Sequence, residues 1–235
     1  MHNSVFWNRQ FRKDFIPSTH RVVEAFLTRL LPTFHTVESE AESHTQRLWD
    51  EITSQPADPD GPDESEVAEL VRDAGIEYYL GLKGIEQGVL NSCAVFVYHL
   101  FEQHLMLFHR KEMLLRVEEE NTRLINRAEL IRRLAECKIP VDTFRDWGVL
   151  EELRLLCNAL KHGEGRSSED LFRCAPELFR SPLLQDHESS NQLGPGRMYT
   201  PLLGEGIFLT TQKIRIYESA IKGFWVELGE RLSGT

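Results

Sequence analysis

Residues 88–120, GVLNSCAVFVYHLFEQHLMLFHRKEMLLRVEEE, constrain the fold more than any other stretch of this chain. On a helical period, apolar side chains point in nearly every direction until the charged end, so a helix here has almost no wet face. Such a helix holds only if other elements surround it, and the remaining sequence supplies helices. THRVVEAFLTRLL (19–31) has apolar residues at helical spacing, with Pro32 ending it or opening the next element, and VESEAESHTQRLWDEI (37–52) reads as a polar helix. SEVAELVRDAGIEYYLGLKGI (65–85) predicts a long helix of its own before the buried one, and TRLINRAELIRRLAEC (122–137) an amphipathic helix with its arginines outward. A further helix is expected over 146–162. A last one, over 211–232, carries Ile214, Tyr217, Ile221, Phe224 and Leu228 on one face.

The expected fold is therefore an all-α helical bundle. One exception is predicted: PLLGEGIFLTT (201–211) sets two short apolar runs around Gly204-Glu205-Gly206, the pattern of a small β-hairpin near residues 200–210. The proline- and acid-rich SQPADPDGPDES (54–65) reads as a loop dividing an aromatic arm and helices (1–53) from a helical domain (66–235). DHESSNQLGPGR (186–197) reads as a second loop. The N-terminal FWNRQFRKDF mixes aromatic with basic residues and predicts an interface segment.

Charge and cysteine usage narrow the function. A net charge of −10 excludes a broad basic footprint for nucleic-acid backbone, while leaving room for a small local one. Cys93, Cys137, Cys157 and Cys174 form no CxxC pair and predict reduced, packing thiols, neither a disulfide framework nor a zinc site. No apolar span approaches the roughly 20 residues needed to cross a bilayer, and the first residues lack a signal-peptide pattern, so the expectation is a cytoplasmic protein with no membrane partner.

The stretch that carries chemistry is CNALKHGEG (157–165), which follows VLEELRLL (149–156). At about 100° per residue, Glu151, Arg154, Asn158, Lys161 and His162 fall within an arc of roughly 100°, with Leu153, Leu156, Cys157 and Leu160 opposite. Imidazole transfers protons near neutral pH, cations stabilise charge developing on phosphate, and an amide orients a hydroxyl or base. The same residues also make an ordinary helix stop, since cations suit a helix C-terminus and glycine suits the turn beyond it. His99, Glu102, His104 and His109 crowd another helix. However, Glu102 and His104 are two apart and diverge, so neither a metal site nor a cofactor is expected. GEGRSS (163–168) lacks P-loop spacing and predicts a flexible turn, and no GxSxG elbow occurs.

Asn158, Leu160, Lys161, His162 and Gly163, in NALKHG, resemble the motif of the HEPN superfamily (higher eukaryotes and prokaryotes nucleotide-binding), in which a helix ends in Arg, often then Asn, and then a His, with four to six residues between Arg and His. The preceding YHLFEQHLMLFHRKE resembles the helix that packs beside that motif, so the likeness spans roughly residues 65–180. Here Cys157 stands where many members place Arg, and the nearest upstream arginine, Arg154, is separated from His162 by seven intervening residues, one more than the family's usual range. The resemblance implies a homodimer that juxtaposes two motif helices, and RNA or nucleotide as ligand. In active members it implies a metal-independent endoribonuclease of the toxin or phage-defence kind, with a neutralising or effector protein as a further partner. His162 would be the acid or base, Asn158 the orienting amide, and Arg154 and Lys161 the phosphate holders. Tyr98 and Glu102 would support the motif helix from its neighbour. The other reading open at this point is a non-catalytic HEPN-like module that binds RNA, nucleotide or a partner protein.

Overall fold

The structure, a computed structural model, describes residues 3–56, 61–182 and 198–234, and it is helical with no strand among them. Its axis is α4 (Glu64–Phe108), a single helix of 45 residues where the sequence suggested two. A capping box starts it: the Asp63 carboxylate accepts from the Glu66 N–H, and the Asp63 N–H donates to Glu66 Oε2, each at 2.9 Å. Gly84 and Gly88, near the expected junction of the two helices, serve close packing. A Cβ on Gly88 would lie 2.5 Å from the carbonyl oxygen of Leu202, so the chain after Pro201 crosses α4 where no side chain intervenes.

From Leu90 onward α4 is buried on most of its surface, with Ser92, Phe96, Gln103 and Leu107 left exposed on one stripe. The N-terminal run, α1 (Ser4–Gln10), a π-helical turn (Phe11–Phe15) and α2 (Ile16–Ala25), packs along it. α8 (Thr211–Gly234) and α6 (Trp147–His162) complete the core. The predicted interface segment is thereby corrected. Trp7, Phe11 and Phe15, spaced by four, turn one stripe inward against Phe108 and Trp225, with ring centroids 5.0 Å apart for Trp7–Phe108 and 4.8 Å for Phe11–Trp225. The Trp7 indole N–H donates to Glu112 at 2.6 Å, which gives the buried ring its polar partner. The basic residues between these rings, Arg9, Arg12 and Lys13, face solvent.

α3 (Val37–Thr53) folds back on the first half of α4, and the loop between them overlaps the proline-rich stretch, partly outside the described residues. α5 (Arg127–Glu136) lies beside the end of α4 and is tied by Arg133, whose guanidinium donates to Glu118, Glu129 and the Met113 carbonyl. α7 (Arg166–Cys174) follows α6 after a short turn. The predicted loop 186–197 lies outside the described residues.

The expected β-hairpin does not form. Residues 201–203 make a short 3₁₀ turn, Gly204 takes φ +84°, and 207–210 run extended without a ladder. The hydrogen bonds explain why. Fully buried Asn91 of α4 donates from Nδ2 to the carbonyls of Pro201 (2.8 Å) and Ile207 (3.1 Å), Gln87 donates to that of Leu209, and Phe208 N–H donates to Leu178. Backbone groups that a hairpin would pair with each other are taken by α4 and its neighbours.

Candidate functional site

α6 separates its faces as its period requires. Leu150, Leu153, Leu156, Cys157 and Leu160 are buried, while Lys161 and His162 are exposed and Arg154 and Asn158 half-buried. The helix stops at His162 because Gly163 takes φ +68°, and the Gly163 N–H closes the last turn on the Ala159 carbonyl at 2.8 Å. A Cβ on Gly163 would also sit 2.9 Å from the Met198 carbonyl, so the chain entering the 201–204 loop passes directly beside the helix end. Between them lies an open cleft of about 440 Å³, lined by Lys161, His162, Glu164, Tyr199, Thr200 and Leu203 among others.

The four residues singled out from sequence share the solvent face but do not converge. Among the described residues, no hydrogen bond or ion pair engages the Asn158, Lys161 or His162 side chains, so their polar groups are available to a ligand. Arg154 is different. Its Nε donates to Glu151 at 3.0 Å, and the same carboxylate pairs with Arg127, which in turn lies 4.8 Å over the Trp147 ring. This pairing holds Arg154 one turn toward the helix start. The rise from 154 to 162 is about 12 Å, so Arg154 and His162 do not serve one atom within a single chain.

Position 157 explains the departure from the HEPN pattern. Cys157 is 0% exposed and its thiol points at α4, donating to the Ala94 carbonyl at 3.6 Å. Burial pushes the thiol pKa up, opposed by Lys161 and reinforced by Glu102, so it stays a neutral packing group. An arginine there would aim into the core and away from the cleft.

On α4, Glu102 Oε2 accepts from Nδ1 of the His99 ring at 3.1 Å and faces Tyr98, whose hydroxyl is held protonated by burial and by that carboxylate. These residues flank α6 as the sequence suggested. The other histidines of this stretch disperse: His104 of α4 stacks on Phe15 at 4.0 Å, and His109, in the π-helical turn that follows α4, is buried. Among the described residues no three His, Cys, Asp or Glu side chains converge as a metal site, and no helix is long and apolar enough to cross a membrane.

Three contributors escaped the sequence reading. Arg127 reaches Glu151 across 24 positions, Tyr199 lies just before the segment taken for a hairpin, and Leu203 lies in it. None has a local signal, because each depends on where a distant segment lands. No protein-family model, curated protein or solved structure matches this chain, so its function is argued from the site alone.

Proposed function

We propose that the chain is an HEPN-like, metal-independent endoribonuclease of the toxin or phage-defence kind, working as a homodimer with His162 as its proton-transfer group. One observation carries the reading: Asn158, Lys161 and His162 share one face of α6 without hydrogen-bond or ion-pair partners among the described residues, and Lys161 and His162 line a cleft at its end. RNA supplies its own nucleophile. The 2′-oxygen attacks phosphorus, the bond to the 5′-oxygen breaks, the 2′-hydroxyl proton passes to a base and the leaving oxygen takes a proton from an acid. Lys161 neutralises the phosphate and Asn158 orients the hydroxyl or the imidazole. A second copy brings the other imidazole and cation that one helix lacks. Tyr199 and Leu203, 80% and 62% exposed beside His162, provide apolar surface for that pairing.

The second reading, a non-catalytic module that binds RNA, nucleotide or a partner protein, is favoured by one specific observation: Arg154 is neutralised by Glu151 and lies a full turn and more from His162. Incubating total RNA or tRNA with the purified protein in EDTA separates the two. Under the nuclease reading the wild type yields 2′,3′-cyclic phosphate ends, His162→Ala lowers the rate by about 10²-fold or more, and Arg154→Ala reports whether that arginine takes part. A well-folded dimer that does not cut, yet retards RNA on a gel, moves the assignment to the binding module.

A further inference from the structure

The charge of this protein sits almost entirely in one place. Residues 37–53 and 64–80, which are α3 and the first half of α4, carry ten carboxylates and two arginines, a net −8 of the chain's −10. The remaining 201 residues are close to neutral at −2. This helical hairpin is also sparsely buried: within it only Val37, Ala41, Val71 and Gly75 are buried, and α3 rests on α4.

The two edges of the hairpin differ. On one edge the His44 ring stacks on Tyr78 with centroids 4.3 Å apart and closes the seam. On the other, a groove of about 790 Å³ stays open, with Ala41, Val71 and Gly75 as its floor, Trp49, Ile76 and Tyr79 as its walls, and Glu38 and Glu42 on its rim. The helices cannot close it by moving together, since a Cβ at Gly75 would already lie 2.1 Å from Thr45 Oγ1. Ile76 is 50% exposed, an apolar side chain left on a surface otherwise crowded with carboxylates. Amphipathic helices gain most of their stability by burying an apolar face, and two helices alone leave one side uncovered.

We propose that this groove is a docking site for a basic amphipathic helix of a partner protein, which completes a three-helix bundle with α3 and α4. Its apolar face covers Trp49, Ile76 and Tyr79, and its lysines and arginines meet Glu38, Glu42 and the acids flanking them. A second copy of this chain does not fit the site, because it would set −8 against −8 across a shared face. Helix-in-groove recognition of this kind reads anchors at i, i+3 or i+4 and i+7, and the 17 residues of α3 offer about 25 Å of track, the length of a helix of some 17 to 18 residues. The site lies on a different helix pair from α6 and does not depend on the ribonuclease reading.

The test is calorimetric titration of the full-length protein with a synthetic 18-residue peptide of leucine and lysine, the leucines at helical spacing. A scrambled peptide of the same composition and a leucine–glutamate peptide serve as controls, and the variants are Ile76→Lys and Glu42→Lys, both at exposed positions. Expected are saturable one-to-one binding with a gain of peptide helicity, at least tenfold weakening in the double variant, and weakening as salt rises. Equal binding of the scrambled peptide would reduce the site to unspecific charge attraction and overturn the proposal. So would unchanged affinity in the double variant, or a dimer in sedimentation that Ile76→Lys converts to monomer, which would give the groove to a second copy.

Discussion

Replacing Cys157 by arginine introduces, before Asn158, the residue that many HEPN members place before their motif asparagine, and the structure predicts that it harms the protein without helping the site. The thiol is fully buried between α6 and α4, against the Ala94 carbonyl. Arginine adds length and volume to a packed interior, which costs roughly 1–3 kcal/mol through displaced neighbours. Its guanidinium also leaves water, and Glu102 is the carboxylate facing this position, already engaged with His99. Incomplete pairing adds a further cost of a few kcal/mol. The expected sum is about 3–5 kcal/mol, a fall in Tm on the order of 10 °C or more for a chain of this size. Thermal denaturation followed by circular dichroism at 222 nm measures it, with Cys157→Ala as a control expected to lose only about 1 kcal/mol. RNA cleavage should not rise. A loss below 1 kcal/mol together with new or increased cleavage would show that position 157 reaches the solvent face, and the division of α6 into faces would then be wrong.

Phe11→Ala should cost about 3–5 kcal/mol in urea unfolding, since its ring lies against Trp225 and Phe108; an effect below 1 kcal/mol would return the N-terminal segment to the role of a detachable arm. Gly88→Ala should destabilise by roughly 1–3 kcal/mol because the new methyl meets the Leu202 carbonyl, whereas Gly81→Ala, with nothing within 4 Å, should stabilise by about 0.5–1 kcal/mol. Equal effects at the two sites would contradict the crossing of α4 by the 201–204 loop. Stability should also fall with acid. Burial lowers the pKa of His109, with Arg133 adding to it against Glu129 and Glu118, and burial lowers that of His104 against Asp14. Both ring nitrogens of His109 are buried without partners, so the folded state keeps that ring neutral while the unfolded chain takes up a proton as pH drops below about 6.5. The contribution is therefore intact above that pH and is lost below it. Urea midpoints at pH 7.5 and 5.5 should differ, and His109→Leu should shrink the difference; a wild type indifferent to this range would refute the assignment.

Much of the architecture was legible from one sequence because helical periodicity is a local property. The run 88–120 announced a surrounded helix, the apolar stripes of 146–162 and 211–232 marked two of the elements that surround it, and the lysine, histidine and glycine that close α6 marked its end. The same periodicity placed Arg154, Asn158, Lys161 and His162 on one face. Local readings failed where a distant segment took over a residue's partners. The runs 65–85 and 88–120 read as two helices, yet they form one, and Gly84 and Gly88 between them admit the crossing loop. The run 201–211 has hairpin composition, but Asn91 and Gln87 claim its carbonyls. The N-terminal aromatics suit an interface, and the interface they meet is the chain's own α4 and α8.

Sequence alone determined that this chain is helical and that α6 presents a polar stripe ending in Lys161 and His162, because both follow from spacing along a single helix. Tertiary structure decided which of those side chains remain free. It tied Arg154 to Glu151, which also holds Arg127, turned Cys157 into the core, and left Asn158 without a partner among the described residues and Lys161 and His162 open at a cleft closed by the chain near residues 198–203. Hydrogen bonds and burial are set by what lies nearby in space, and for a side chain at a helix surface that neighbour is seldom close in sequence.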